Sequence, residues 1–206
     1  MEKQAEKFDA IVIGAGHAGC EAALALSRTG NKTLLLTISL DAIAFLACNP
    51  SIGGTAKGQL VSEIDALGGQ MGIVADKTAL QIRMLNRGKG PAVQSLRVQS
   101  DKNAYHQEMK KVLENEPNLF IRQGEVDSIE ISGHEKIVTT HLGLQYVAKS
   151  VVLATGVYLK SEIIIGSSRE ATGPNGFKRS STLSESLQKL GIKLLRFKTG
   201  TPVRLH

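Results

Sequence analysis

A chain of 206 residues, 42% of them hydrophobic, is long enough for one domain with a sizeable core, and 21% charged residues argue against wholesale disorder. Twenty-five Lys and Arg against nineteen Asp and Glu leave a net charge of +6, which permits an anionic partner without demanding one. No run of about 18 apolar residues exists, which excludes a transmembrane helix, and two cysteines, Cys20 and Cys48, form no disulfide framework and point to a reducing cytoplasm.

The charged start, Met1–Lys7, reads as neither signal nor transit peptide. Phe8–Ile13 is a short apolar run ending at glycine and reads as a buried strand. Gly14-Ala15-Gly16-His17-Ala18-Gly19 follows. From Cys20 to Arg28 the Ala- and Leu-rich pattern predicts a helix stopped by Gly30, and Thr33–Thr37 predicts a second buried strand. Strand, glycine turn, helix and strand in about 30 residues make the βαβ unit of a parallel sheet.

Cys48–Gly58 (CNPSIGGTAKG) is too polar and punctuated for core and reads as a loop. A helix follows, with Leu60, Val61, Ile64 and Leu67 on one face and Gly68-Gly69 as its stop. Ala79–Asn86 fits strand or helix, and Gly88–Val93 is another glycine loop. Ser100 or Asp101 caps a helix whose apolar side is Tyr105, Met109, Val112 and Leu113, ended by Pro117. From Leu119 to Ala148 the period changes to two. Leu119–Arg122 reads as a strand, and Val126–Ile131, Ile137–Thr140 and Leu144–Ala148 as a small antiparallel meander. Ser150–Ala154 returns to a buried strand before Thr155-Gly156.

A bare GxGxxG is a weak signal. Here it follows a strand and opens a helix, so its glycines allow a tight turn and close approach of a pyrophosphate to the helix N-terminus. The acid expected near the end of the second strand for ribose is replaced by Thr37, with Asp41 beyond it; this weakens an NAD reading. Ala154-Thr155-Gly156, after a strand and a meander, resembles the second signature of two-dinucleotide flavoproteins, where that backbone passes beside FAD. The two motifs in this order favour FAD. The expected fold is therefore α/β, a Rossmann-like FAD-binding fold with a parallel sheet and a small antiparallel β-meander.

Cys48 is the candidate nucleophile. It precedes a glycine-rich loop whose N–H groups, with Lys57, favour a thiolate, and a thiolate adds to electron-poor double bonds. An inert loop cysteine is the other reading. Cys20, in the Ala-rich helix, reads as packing. Arg83, Arg87, Lys89, Arg97 and Lys102 cluster around residues 86–102. They suit RNA phosphates, a cofactor phosphate or plain solvent equally well.

The segments GAGHAGCEAALA (14–25), TLLLT (33–37), CNPSIGGTAKG (48–58), EIDALGG (63–69), KGPAVQSLRVQSDK (89–102), LATG (153–156) and KTGTPVR (198–204) resemble the N-terminal part of the MnmG, or GidA, family of flavin-dependent tRNA wobble-uridine modification enzymes. Thr37 fits that family; Val203 departs from its usual proline. The resemblance implies FAD reduced by NADH, whose own site lies mostly outside this chain. It also implies methylenetetrahydrofolate as carbon donor, the GTPase MnmE as partner, and a carboxymethylaminomethyl or aminomethyl group added to C5 of the wobble uridine of tRNA.

By the same resemblance Cys48 is catalytic, Val126 meets the adenine, Ala154, Thr155 and Gly156 flank the cofactor, and Ser180 contributes to its site. The whole of 1–206 is then one FAD-binding domain, part of a longer homodimeric cytoplasmic enzyme without a membrane anchor. Its meander would span 125–149, and 200–206 would begin the connection to an inserted domain. The piece alone is expected to bind cofactor without turnover. A flavin- and folate-dependent tRNA uridine methyltransferase and a generic FAD oxidoreductase are the rivals.

Overall fold

The computed structural model describes residues 5–200. Most of the expected 200–206 connection, Val203 and the first four residues lie outside that range.

Strand β1 (Glu6–Ile13) leads through the glycine turn into α1 (His17–Arg28) and on to β2 (Thr33–Thr37). The two strands are parallel, with Ala10 opposite Thr33 and Ile13 opposite Leu36. Both are buried on both faces, as a covered parallel strand must be. Val12 and Leu35 point to one side of the sheet, where α1 lies, and Ile11, Ile13, Leu34 and Leu36 to the other.

An excursion then leaves the sheet. It comprises β3 (Ser51–Gly53), α2 (Gly58–Ala66), α3 (Met71–Lys77), β4 (Ala79–Leu85), β5 (Ser95–Ser100) and α4 (Lys102–Glu114). The three strands form a separate antiparallel sheet in the order β3-β5-β4. Two features here correct the sequence reading. The 48–58 segment is not all loop, because Ser51–Gly53 pairs with Arg97–Gln99 and buries Ile52. The apolar face expected on α2 is mostly open, with Leu60 56% and Leu67 89% exposed, and only Val61 joins the core. Ala79–Leu85 is strand, since β5, unpredicted, pairs along it.

Asp101 caps α4 by accepting from the N–H groups of Asn103 and Ala104. Tyr105, Met109 and Leu113 then fall on one stripe and are fully buried, each contributing about 1.5–3 kcal/mol of transfer free energy. The N-terminus of α3 has no local side-chain cap. Glu21 of α1 supplies one instead: its carboxylate accepts from the N–H of Gln70 at 3.0 Å and of Met71 at 2.6 Å. Glu21→Ala should therefore cost about 1–2 kcal/mol, seen as a lower urea midpoint. An unchanged midpoint would remove the long-range cap from the account.

The chain rejoins the main sheet at β6 (Leu119–Gln123), parallel to β2, and continues with β7 (Val126–Ser132), β8 (Glu135–Thr140) and β9 (Gln145–Leu153). The sheet order is β6-β2-β1-β9-β8-β7. The third meander strand and the returning strand, read separately from sequence, are one. β9 runs parallel to β1 from Tyr146 to Leu153 while its first half pairs antiparallel with β8. The polar Lys149-Ser150 step between them is accommodated at the surface, where Lys149 pairs with Asp9 of β1 at 2.9 Å. Beyond the end of β8 that strand is only partly covered: Val151 and Val152 are half-buried, and Leu153 is 40% exposed.

Val126, Ile129 and Val138 share a core with Ile11 and Leu34, so the antiparallel strands cover the face opposite α1. After a small hairpin of β10 (Ile163–Ile165) and β11 (Ser168–Glu170), α5 (Leu183–Lys189) adds Leu183 and Leu187 to that core.

Candidate functional site

The carboxyl ends of the four parallel strands converge. Gly14 follows β1, and its N–H donates to Leu36 O at 2.8 Å. Gly124 follows β6, and its N–H donates to Thr37 O at 2.8 Å. Ala154 follows β9, and its N–H donates to Ile13 O at 2.8 Å. In open α/β sheets this crevice is where ligands bind.

Gly14 has φ +103°, and a Cβ there would overlap the carbonyl oxygen of Ala154. A Cβ on Gly19 would overlap the carbonyl oxygen of Gly14. The turn is thus clamped between α1 and the Ala154-Thr155 backbone by two positions that exclude any side chain. Gly16 differs: nothing lies within 4 Å of its would-be Cβ. It is the N-cap of α1, makes no side-chain cap bond, and the first turn carries no acid. The first intrahelical bond is Cys20 N–H to Gly16 O. The N–H groups of His17, Ala18 and Gly19 therefore have no partner among the described residues. Open space over Gly16, facing three free donors and the positive end of a twelve-residue helix, fits a pyrophosphate. Gly156, with φ +56°, is exposed one residue past the clamp.

His17 packs edge-on against Tyr105, ring centroids 5.8 Å apart, and its buried Nδ1 has no partner. Burial holds the imidazole below its usual range. The folded protein keeps it neutral, whereas the unfolded chain protonates it near pH 6.5. This stabilisation is complete above about pH 6.5 and is lost as pH falls through the lowered folded value. His17→Gln should flatten the fall of melting temperature between about pH 7 and 5; an unaltered slope would sink the assignment.

Val126 and Ser180 are also brought together. Val126 is buried at the start of β7. The preceding Glu125 accepts from Ser181 N–H at 3.3 Å and pairs with Lys178 at 2.6 Å. Ser180 is bridged to Leu159, and its hydroxyl is buried without a partner. Nothing in the sequence distinguishes Glu125 from the other acids; only the fold buries its side chain beside Lys178. Thr37 is taken up locally, because its hydroxyl donates to Ser39 O at 3.0 Å.

Cys48 is exposed. The residues before it are not loose. Ile43, Ala44 and Leu46 are buried, Ala44 N–H donates to Ala15 O at 2.8 Å, and Phe45 packs edge-on against Phe177 with Lys102 Nζ 3.9 Å above its ring. Cys48 follows Ala44 by four positions, so the thiol-bearing residue lies within about 14 Å of the tether on the glycine turn. Just after it, Pro50 O accepts from Ser100 N–H at 2.8 Å. The helix α2 begins ten residues later, after β3, so the thiol does not sit at a helix start. Cys20 is packing, as its sequence context suggested: it is fully buried, its Sγ donates to Ala15 O, and burial pushes its thiol up to about 12. Among the described residues no His, Cys, Asp and Glu group is arranged to hold a metal ion, and no helix is long and apolar enough to cross a membrane.

The family model of glucose inhibited division protein A, GidA, matches residues 9–206. The tRNA uridine 5-carboxymethylaminomethyl modification enzyme MnmG of Alkaliphilus metalliredigens is 60% identical over 100% of the chain, which covers 33% of that relative. The chain thus spans about a third of the length of the curated relatives it matches. Among solved structures, GidA of Aquifex aeolicus superposes with a TM-score of 0.91 at 49% identity, covering 96% of this chain and 33% of that one. A GidA-related protein from Thermus thermophilus shares the fold, with a TM-score of 0.66 at 23% identity over 91% of this chain and 70% of that one.

Proposed function

Because this chain belongs to the GidA family, we propose that it is the FAD-binding portion of an enzyme that modifies C5 of the wobble uridine in tRNA. The observation that supports this most is the open, uncapped N-terminus of α1 over Gly16, clamped by Gly14 and Gly19 against Ala154-Thr155. The activity for which the curated relatives are named agrees with it.

In this reading the N–H groups of His17, Ala18 and Gly19 hold the pyrophosphate. Thr155 and Gly156 flank the cofactor, and Val126 and Ser180 border its adenine end. FAD bound there supplies the redox chemistry. A neutral His17 adds no fixed charge to the anion site. Cys48 acts on the RNA: its thiolate adds to C6 of uracil, and the electron pair of the C5–C6 double bond moves toward C5 and the C4 carbonyl, so that C5 becomes nucleophilic. Once C5 has bonded to the incoming one-carbon group, loss of the C5 proton and departure of the thiolate restore the C5–C6 double bond. NADH as reductant, methylenetetrahydrofolate as carbon donor, the GTPase MnmE as partner, a homodimeric assembly and a cytoplasmic setting complete the proposal.

The test is direct. The protein, in its full natural length, is expected to purify with flavin absorbance bands and to restore the modified wobble nucleoside in tRNA from cells lacking the gene, measured by mass spectrometry. A colourless protein, or tRNA left unmodified, refutes it.

A further inference from the structure

We propose that the β3-β5-β4 sheet and its 86–94 tip form the face that grips the phosphate backbone of the RNA, resting on the reading above that tRNA is the substrate. The stretches 48–62 and 78–100, which hold the three strands and the tip of this lobe, contain no Asp or Glu, yet carry Lys57, Arg83, Arg87, Lys89 and Arg97; the acids between the two stretches, Glu63, Asp65 and Asp76, lie on α2 and α3. These five charges compare with a net +6 for all 206 residues. All five are exposed, and none makes an ion pair among the described residues.

Register sharpens the point. Arg83 stands directly opposite Arg97, and Gly53 opposite Arg97 on the other side. Side chains directly opposite in an antiparallel pair share a face and nearly touch, and like charges there are destabilising. Two exposed arginines at paired positions on one face, with no acid on the three strands, suit an external anion, and their planar forks match phosphate oxygens.

The tip is held in shape as well. Asn86 Nδ2 donates to Val93 O at 2.9 Å and to Thr55 Oγ1 at 3.0 Å, and Gln94 Nε2 donates to Lys89 O at 3.0 Å. Side-chain amides thus tie down the backbone while the side chains of Arg87 and Lys89 remain exposed. Cys48 lies three residues before β3, so a nucleotide presented to the thiol has its neighbours' phosphates within reach of this row. Positive charge spread along the lobe suits a polyanion backbone rather than a single small anion.

Removing the partner of one phosphate should reduce the slope of log affinity against log salt by about 0.7–0.9. The double variant Arg83→Gln with Arg97→Gln, in the full-length protein, is therefore expected to lower that slope by about 1.5 and to weaken tRNA binding roughly tenfold or more at moderate salt. Fluorescence anisotropy with labelled tRNA reads both. Arg83→Lys with Arg97→Lys should retain the slope, and Lys189→Glu on α5 should leave slope and affinity unchanged. The tRNA KM should rise with kcat at saturation preserved. Unchanged slope and affinity in the Gln variant, with wild type binding tRNA normally, overturns the proposal alone. The same holds if the variant keeps tRNA but loses an acidic protein partner in pull-down. A wild-type protein with no affinity for tRNA overturns this proposal and the functional reading together.

Discussion

Replacing Gly16 by valine is expected to strip the protein of flavin while leaving it folded. The position is extended, with φ −71° and ψ −174°, a region that valine occupies without strain. No protein atom lies within 4 Å of the added Cβ, so the cost to the fold is limited to valine's poorer fit at the N-cap of α1. The space that the side chain enters is the space over the free N–H groups of α1, where the pyrophosphate is proposed to sit. A branched side chain there both blocks approach and shields the donors, and flavin retained through purification should fall more than tenfold. The ratio of flavin to protein absorbance reads this, with a thermal melt as the control for folding. Gly19→Ala provides the contrast: its Cβ overlaps the Gly14 carbonyl, so stability should fall by about 3 kcal/mol or more. A Gly16→Val protein of normal yellow colour would refute the placement of the cofactor.

Cys48→Ser is expected to abolish tRNA modification, by at least about a thousandfold, with flavin content and melting temperature unchanged. The residue is exposed and stands outside the buried core, so serine costs little in stability. A serine hydroxyl with no adjacent base is not ionised at neutral pH and has no comparable nucleophilicity toward C6 of uracil. Nucleoside mass spectrometry of the tRNA product measures the loss. Cys20→Ser is the internal comparison. That thiol is buried with its proton held by Ala15 O, so the change should touch stability slightly and activity little. Wild-type modification by the Cys48→Ser enzyme would return the 48–58 segment to a structural role.

The amino-acid sequence by itself determined what is local. β1, the glycine turn, α1 and β2 follow from an apolar run, three glycines and an Ala-rich stretch, and β2 falls on the expected Thr33–Thr37. The Asp101 cap and the Tyr105, Met109 and Leu113 stripe of α4 are equally local, since a cap and a 3.6-residue period involve only neighbours along one helix. Tertiary structure decided whatever depends on a partner distant in the chain. Ile52 is core because β5, more than 40 residues on, pairs with β3. Leu60 and Leu67 keep the helical period but find nothing to cover them among the described residues. Glu21 caps a helix 49 residues away.

The candidate site belongs to the second kind. Gly14 meets Ala154, 140 positions later, only because β9 lies beside β1, and Val126 approaches Ser180 because β7 and the 180–190 segment pack together, through Glu125 and Ser181, Asp127 and Thr182, and Ile129 and Ser186. The order of cationic residues along the chain likewise says nothing of which ones face each other. Arg83 stands opposite Arg97 because pairing register sets it, and a one-residue slip would send one of them to the other side of the sheet. Periodicity reports which side of its own element a residue occupies; which other side chain it meets is settled by how the elements pair and pack.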